Sequence, residues 1–349
     1  MSKRILKYNE ALQEATRQML AENDQAFVIG LGVPQGAAGT TDGLKDEYPS
    51  RVLDTPISEG ALTGLAVGAA ISGLHPVVYH ERVEFALVAA DQIFTQAAKW
   101  NYMFGGNNPV PLTLRIAVGR KWGNGPQHSQ ALYSLFGAVR GLKVVIASTP
   151  YTAKGLLISA IRDKNPVVVL ENIWLYHVKE EVPPEPYALP LNKARIAHKG
   201  TDVTVVTYGD GFVEALSVLA MLPQDISVEL IDLVAINPVD YDTIEQSVKK
   251  TGRLITIDTT NAAFSVGSEI IAKMTERGVV FKSTPATVST PDVPVPTSSA
   301  LLEFYYPTKV DIANAILLMF GKERLETKLT FEQLHIAPSH TLGHQNEDS

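Results

Sequence analysis

Asp54-Thr55-Pro56-Ile57-Ser58-Glu59-Gly60, running directly into Ala61-Leu62-Thr63-Gly64-Leu65-Ala66-Val67-Gly68-Ala69-Ala70-Ile71, is the stretch from which the rest of the chain can be read. Pro56 and Ser58 mark a turn, and the small, uncharged residues after Glu59 predict a close-packed helix over about 59–73. Before it, Ala26-Phe27-Val28-Ile29-Gly30 reads as a short buried strand, and the residues 76–79 after it as another. Strand, helix and strand in that order form a unit of a parallel sheet covered on both faces. Glu59 stands where the turn gives way to the helix. A carboxylate there favours the positive end of the helix dipole. Held against apolar surface, it would instead have its proton affinity raised by desolvation, as in sites where a carboxyl shares a proton near neutral pH. The segment alone allows both readings. Gly60, Gly64 and Gly68 line one face and permit close backbone approach, against the chain's own fold or at a two-fold axis.

The alternation continues outward. Helices are expected at 8–22, 84–103 and 151–162, and strands at 111–116, 142–147 and 166–171, with a glycine-rich loop at Gly30, Gly32, Gly36 and Gly39. Pro183, Pro184, Pro186 and Pro190 crowd a stretch without periodicity. The expected organisation is therefore a first domain over 1–185, a linker over 186–200 and a second domain over 201–330. The second has strands at 203–207, 227–232 and 254–258, and helices near 211–222, 240–250, 267–277 and 308–320. Residues 331–349 read as a mobile tail. The fold class is α/β, two domains with mainly parallel sheets.

With 349 residues, 45% hydrophobic and 19% charged, the chain has the composition of a protein with a large core. The net charge of −7 argues against nucleic acid as a partner. The absence of cysteine removes disulfides, thiolate metal sites and a thiol nucleophile. The N-terminal residues lack the apolar run of a secretory signal, and 60–73 is too short for a membrane span, so no membrane partner and a cytoplasmic location are expected.

A set of segments, in order, carries a resemblance: Asp54 to Glu59, Asp91-Gln92-Ile93, Ala97-Ala98-Lys99, Gln127-His128-Ser129-Gln130, Gly141 to Val145, Ala153 to Leu157, Asn165 to Glu171, and Ile231-Asp232-Leu233 before Asn237-Pro238-Val239-Asp240. From about residue 5 to 320 the chain resembles the β subunit of thiamine-diphosphate-dependent 2-oxo acid dehydrogenases of the pyruvate and branched-chain type. The resemblance implies a transketolase-like pyrimidine-binding domain, a transketolase C-terminal domain and an α subunit partner in an α2β2 assembly. A lipoyl acyltransferase core is a further possible partner. The cofactor would be thiamine diphosphate, with magnesium held mainly by the α subunit.

Residue by residue, Glu59 matches the glutamate that hydrogen-bonds a ring nitrogen of the aminopyrimidine and favours its imino form. Phe85 matches the aromatic that packs on that ring, although on sequence alone it would be core. Ile57 and Glu81 fall beside the cofactor. His128 matches the histidine on the substrate side, where an imidazole can bind a carboxylate or shuttle a proton. Asp163 and Asn165 fall where some members bind potassium, though such residues also cap helices.

Two stretches depart from the family pattern. Tyr79-His80-Glu81-Arg82-Val83-Glu84 is charged where neutral residues are usual, and Arg120-Lys121-Trp122-Gly123 replaces small neutral residues ahead of His128. Pointing inward, Arg82, Arg120 and Lys121 would suit a substrate with an extra carboxylate or phosphate. Pointing outward, they would be solvated surface or contacts to the α subunit. Gly209-Asp210-Gly211 with Asn237 imitates a magnesium and diphosphate signature, but Pro238 stands where a second Asn belongs, so a strand-to-helix turn is expected. The leading expectation is decarboxylation of a 2-oxo acid with acyl transfer to a lipoyl acceptor. The alternatives are a split transketolase-like or carboligating enzyme acting on a more polar substrate, and a non-catalytic scaffold. No Gly-x-Gly-x-x-Gly follows a strand with the acid that a dinucleotide site needs.

Overall fold

The computed structural model describes residues 4–120, 123–336 and 342. In chain order the strands are β1 (Ile5–Lys7), β2 (Ala26–Ile29), β3 (Val52–Leu53), β4 (His75–His80), β5 (Thr113–Val118), β6 (Lys143–Ile146), β7 (Val167–Asn172), β8 (Lys179–Glu181), β9 (Arg195–His198), β10 (Val203–Thr207), β11 (Val228–Asp232), β12 (Ala235–Asn237), β13 (Leu254–Asn261) and β14 (Ala286–Thr290). A seven-stranded sheet has the order β12-β6-β7-β5-β4-β2-β3, and a five-stranded sheet the order β14-β13-β10-β11-β9. β1 and β8 form a separate antiparallel pair.

Strands at the centre of each sheet are buried on both faces, as in a sheet covered by helices. β5 and β7 are buried at every position and pair in parallel from Thr113 opposite Val167 to Val118 opposite Asn172. The helices Tyr8–Glu22 and Pro150–Arg162 pack together and bury Leu12, Ala15, Met19, Leu156 and Leu157. The helix Glu59–Ile71 lies against β4 and the segment Asp91–Ala97.

The helix expected over 84–103 is broken into an α-helical turn Val83–Ala86, a 3₁₀ turn Leu87–Ala89, a π-helical segment Asp91–Ala97 and an α-helix Ala98–Met103. The break falls where this segment crosses the glycine face of Glu59–Ile71. A Cβ on Gly60 would stand 3.4 Å from the Val88 carbonyl, and one on Gly64 3.5 Å from Gln92 Cγ. Two of the three spaced glycines thus serve a crossing within the chain, while Gly68 has nothing within 4 Å.

Six strands lay outside the sequence-based expectation, β1, β3, β8, β9, β12 and β14. β9, placed in the linker, closes the edge of the second sheet antiparallel to β11. β14 extends the same sheet beyond β13. β12, from the second half of the chain, crosses over and pairs antiparallel with β6 at the edge of the first sheet. The two halves therefore share a strand at their junction. Ser148 adds a polar contact there: its hydroxyl donates to Asp232 Oδ1 at 2.7 Å and accepts from the Gly209 amide at 2.8 Å.

The first sheet also encloses a charge pair. Arg115 and Glu171 are both fully buried, joined by Nε–Oε1 at 2.5 Å and Nη2–Oε2 at 3.0 Å, and Tyr176 donates to Glu171 at 3.2 Å. Removing one partner strands the other charge in apolar surroundings. Glu171→Ala is expected to lower unfolding free energy by about 3–5 kcal/mol, measured by denaturant unfolding. The double change Arg115→Met with Glu171→Leu should cost less than that single one; equal or greater loss would contradict this account.

Candidate active site

The ends of β2, β3, β4 and β5 converge on one side of the first sheet, the carboxyl edge where open α/β sheets bind ligands. Beyond β3 the chain turns through Asp54–Ser58 into the helix Glu59–Ile71. Asp54 fixes this turn: Oδ1 accepts from the Gly32 and Thr55 amides at 3.0 Å each, and Oδ2 from Gln35 Nε2 at 3.2 Å. Glu59 is the first residue of the helix, half-buried, and its carboxylate takes no side-chain or backbone donor among the described residues. It faces a cleft with Leu31, Thr55, Leu62, His80, Glu81 and Phe85 in its walls.

Phe85 sits on the short helix after β4, and its ring meets the His128 imidazole edge-on at 5.5 Å and 89°. The neighbouring Glu84 reaches the same segment: its Oε1 accepts from the Gln130 amide at 2.6 Å. Burial raises the Glu84 carboxyl above the usual range, the Gln130 bond offsetting part of the effect. His80 is buried, with Nε2 3.1 Å from Thr63 Oγ1, and its Nδ1 has no partner among the described residues. Burial pulls its pKa down to about 4, so the ring beside Glu59 is neutral at physiological pH. Neither Glu84 nor His80 was singled out as a site residue from the sequence; the signal was the charged run Tyr79 to Glu84.

Ile57, Glu59, Glu81 and Phe85 share this cleft, and His128 stands against Phe85. Arg82 does not line the cleft. Its guanidinium turns back to the Glu81 carbonyl at 2.7 Å. Arg120, expected at the substrate or on the surface, is in neither place: it is 1% exposed and bonds Asp210 Oδ2 at 2.6 Å and Glu214 Oε1 at 2.8 Å. Two carboxylates neutralise it, so it offers nothing to a ligand. Lys121 and Trp122 lie outside the described residues.

The side chains of Asp163 and Asn165 are engaged within the chain. Asp163 closes the helix Pro150–Arg162, bonds Lys143 Nζ at 2.5 Å and accepts from the Asn165 amide at 2.9 Å. The side-chain amides of Asn165 and Asn101 meet at 2.7 Å. Among the described residues no group of three His, Cys, Asp or Glu could hold a metal ion. Asp210 begins the helix Asp210–Val218 after β10, and its other oxygen accepts from Thr259 at 3.0 Å. Asn237, on β12, donates to the Val139 carbonyl at 3.2 Å. The apparent magnesium signature is a strand-to-helix turn.

The family description "Transketolase, pyrimidine binding domain" matches residues 5–177, and "Transketolase, C-terminal domain" matches 192–312. The chain belongs to the transketolase-like family of thiamine-diphosphate-dependent dehydrogenase β subunits. It is 39% identical to the acetoin:2,6-dichlorophenolindophenol oxidoreductase subunit beta of Cupriavidus necator, covering 89% of this chain and 96% of that one. It is 40% identical to the pyruvate dehydrogenase E1 component subunit beta of Porphyra purpurea, covering 84% and 90%. Among solved structures, a split-gene transketolase in the form of an inactive beta4 tetramer superposes with a TM-score of 0.75 at 21% identity, over 91% of this chain and 99% of that one, a likeness of fold.

The cleft fits the aminopyrimidine of the cofactor this family uses. Glu59 offers a carboxylate without a protein donor, Phe85 and Leu62 offer apolar surface, and Thr55 Oγ1 is buried without a partner among the described residues. His80 gives the cleft a pH signature. Its folded pKa of about 4 lies below the ordinary 6.5, so the unfolded chain binds more protons between those values and the contribution is lost as pH falls through that window. The loss should total on the order of 3 kcal/mol. Unfolding free energies of the protein and of His80→Gln at pH 7 and pH 5 test this; equal pH slopes would refute it.

Proposed function

We propose that this chain is the catalytic β subunit of a heteromeric thiamine-diphosphate enzyme that decarboxylates a 2-oxo acid and passes the acyl group to a lipoyl acceptor. The observation that carries the reading is the unpartnered Glu59 carboxylate facing Phe85 in a cleft at the carboxyl edge of a parallel sheet. Thiamine diphosphate, when bound, supplies the nucleophilic carbon and the electron sink. Glu59 would hold a proton at the pyrimidine ring nitrogen. Phe85 and Leu62 would fix the ring plane and keep water from its face. His128, set against the edge of Phe85, would bind the substrate and move a proton on the reacting side.

Among the described residues no group of three His, Cys, Asp or Glu could hold the magnesium, and Asp210 is engaged elsewhere. We assign diphosphate and magnesium to an α subunit, in an α2β2 assembly to which an acyltransferase core would attach. Exposed apolar side chains around the cleft support a partner surface there: Ile57 is 77%, Val88 68% and Leu65 59% exposed.

A second reading, cleavage of an uncharged hydroxyketone, is favoured by the acetoin-type relatives and by one feature of the cleft. No Lys or Arg is among the described residues that line it, so none of these brings a guanidinium or ammonium there for a substrate carboxylate. Arg120, being neutralised by two carboxylates, lends no support to a more polar or phosphorylated substrate, and Lys121 lies outside the described residues.

The test is reconstitution with the α partner and turnover on pyruvate, branched-chain 2-oxo acids and acetoin, followed by dye reduction and by acylation of a lipoyl domain. Turnover of 2-oxo acids with lipoyl acylation is expected; preference for acetoin selects the second reading. Glu59→Gln should lower kcat by about 100-fold or more. Full activity of that variant would mean that the chain is a scaffold.

A further inference from the structure

Arg120 has no role in the reading above, yet two carboxylates and two aromatic rings surround it. Its guanidinium bonds Asp210 and Glu214 on the helix Asp210–Val218 and lies over the rings of Trp174 at 4.2 Å and Tyr306 at 5.2 Å. Asp210 is held in turn by Thr259, and Glu214 by the Lys309 amide at 3.2 Å, the start of the helix Lys309–Met319. An arginine from the end of β5 is thus embedded in the second domain.

Its chain neighbour Gly119 lies directly under the backbone of the active-site histidine. A Cβ on Gly119 would stand 2.8 Å from both the His128 carbonyl oxygen and Ser129 Cα. Only a residue without a side chain permits that contact, and Arg120 fixes where it occurs. From the other side, Glu84 accepts from the Gln130 amide. Gly125, in the left-handed region at φ +71°, abuts Thr297 of the second domain, 2.5 Å from its Oγ1 to where a Cβ would lie.

We infer that Arg120 is a positioning residue: through Asp210 and Glu214 it ties the end of β5 to the second domain and so sets the height of His128 against Phe85. The C-terminal domain then contributes to turnover without touching substrate or cofactor. This inference rests on the role given to His128 under the proposed function. A displacement of about 1 Å in a reacting group can cost about 100-fold in rate, so a loosened clasp acts on kcat more than on binding.

The experiment uses the assembled, cofactor-loaded complex. Arg120→Met, Asp210→Asn and Gly119→Ala are each expected to lower kcat by about 10- to 100-fold, while substrate KM and cofactor affinity change by less than about threefold. Arg120→Lys, which keeps the charge but not the fork, should recover part of the loss. Hydrogen exchange in 123–130 should quicken in Asp210→Asn with the core of each sheet unchanged. Should Arg120→Met fail to assemble, Asp210→Asn and Glu214→Gln decide, since each leaves one carboxylate in place. Wild-type kcat in these variants beside an inactive His128→Ala would overturn the inference. So would a loss of kcat matched by equally faster exchange throughout both domains. Full turnover of His128→Ala would instead overturn the role given to that histidine.

Discussion

A fully buried guanidinium joins the two domains where they meet. Arg120 leaves water completely when they pack, a step that is unfavourable unless charge and geometry are both matched. Asp210 and Glu214 supply the charge, and Trp174 and Tyr306 supply flat faces on which it can lie. Burial draws its proton affinity down, and the two carboxylates more than reverse this, so the group stays charged. A pair of that kind tolerates one docking of the domains and penalises others, because any slippage separates a buried charge from its partners.

Much of this architecture was legible because the residues concerned act locally. The helices Tyr8–Glu22 and Glu59–Ile71 show their period or their turn in a few neighbouring residues, and β5, β7 and β10 are largely apolar and buried throughout. β9, β12 and β14 were not legible: they are short, and what makes them strands is a partner far away in sequence. The same distinction divides the site. Ile57, Glu59, Glu81 and Phe85 belong to the segments after β3 and β4, strands separated by β2, and family likeness brought them together. Arg120 could be seen as a cation near His128, but its carboxylates lie 90 and 94 residues onward. Asp210 was read as a turn residue, correctly placed, with no sign of what it would bind.

The cleft itself combines a carboxylate with deliberately muted surroundings. His80 is kept neutral by burial, and Arg82 spends a donor on the backbone beside it. The charged run after β4, so unlike the family pattern on paper, thus leaves Glu59 without a competing cation among the lining residues. Glu81 remains as a second carboxylate in the wall, a local feature that would disfavour anionic substrates approaching from that side.

The crossing of β12 has a consequence for any attempt to take the molecule apart. The three residues Ala235–Asn237 belong by sequence to the second half, yet they cover the outer edge of β6. A fragment ending in the proline-rich stretch would leave that edge bare, with the unpaired amides and carbonyls that draw foreign strands and seed aggregates. The junction between the two family domains is therefore a poor place to cut, and the halves are better treated as one unit of inheritance and expression than as interchangeable parts.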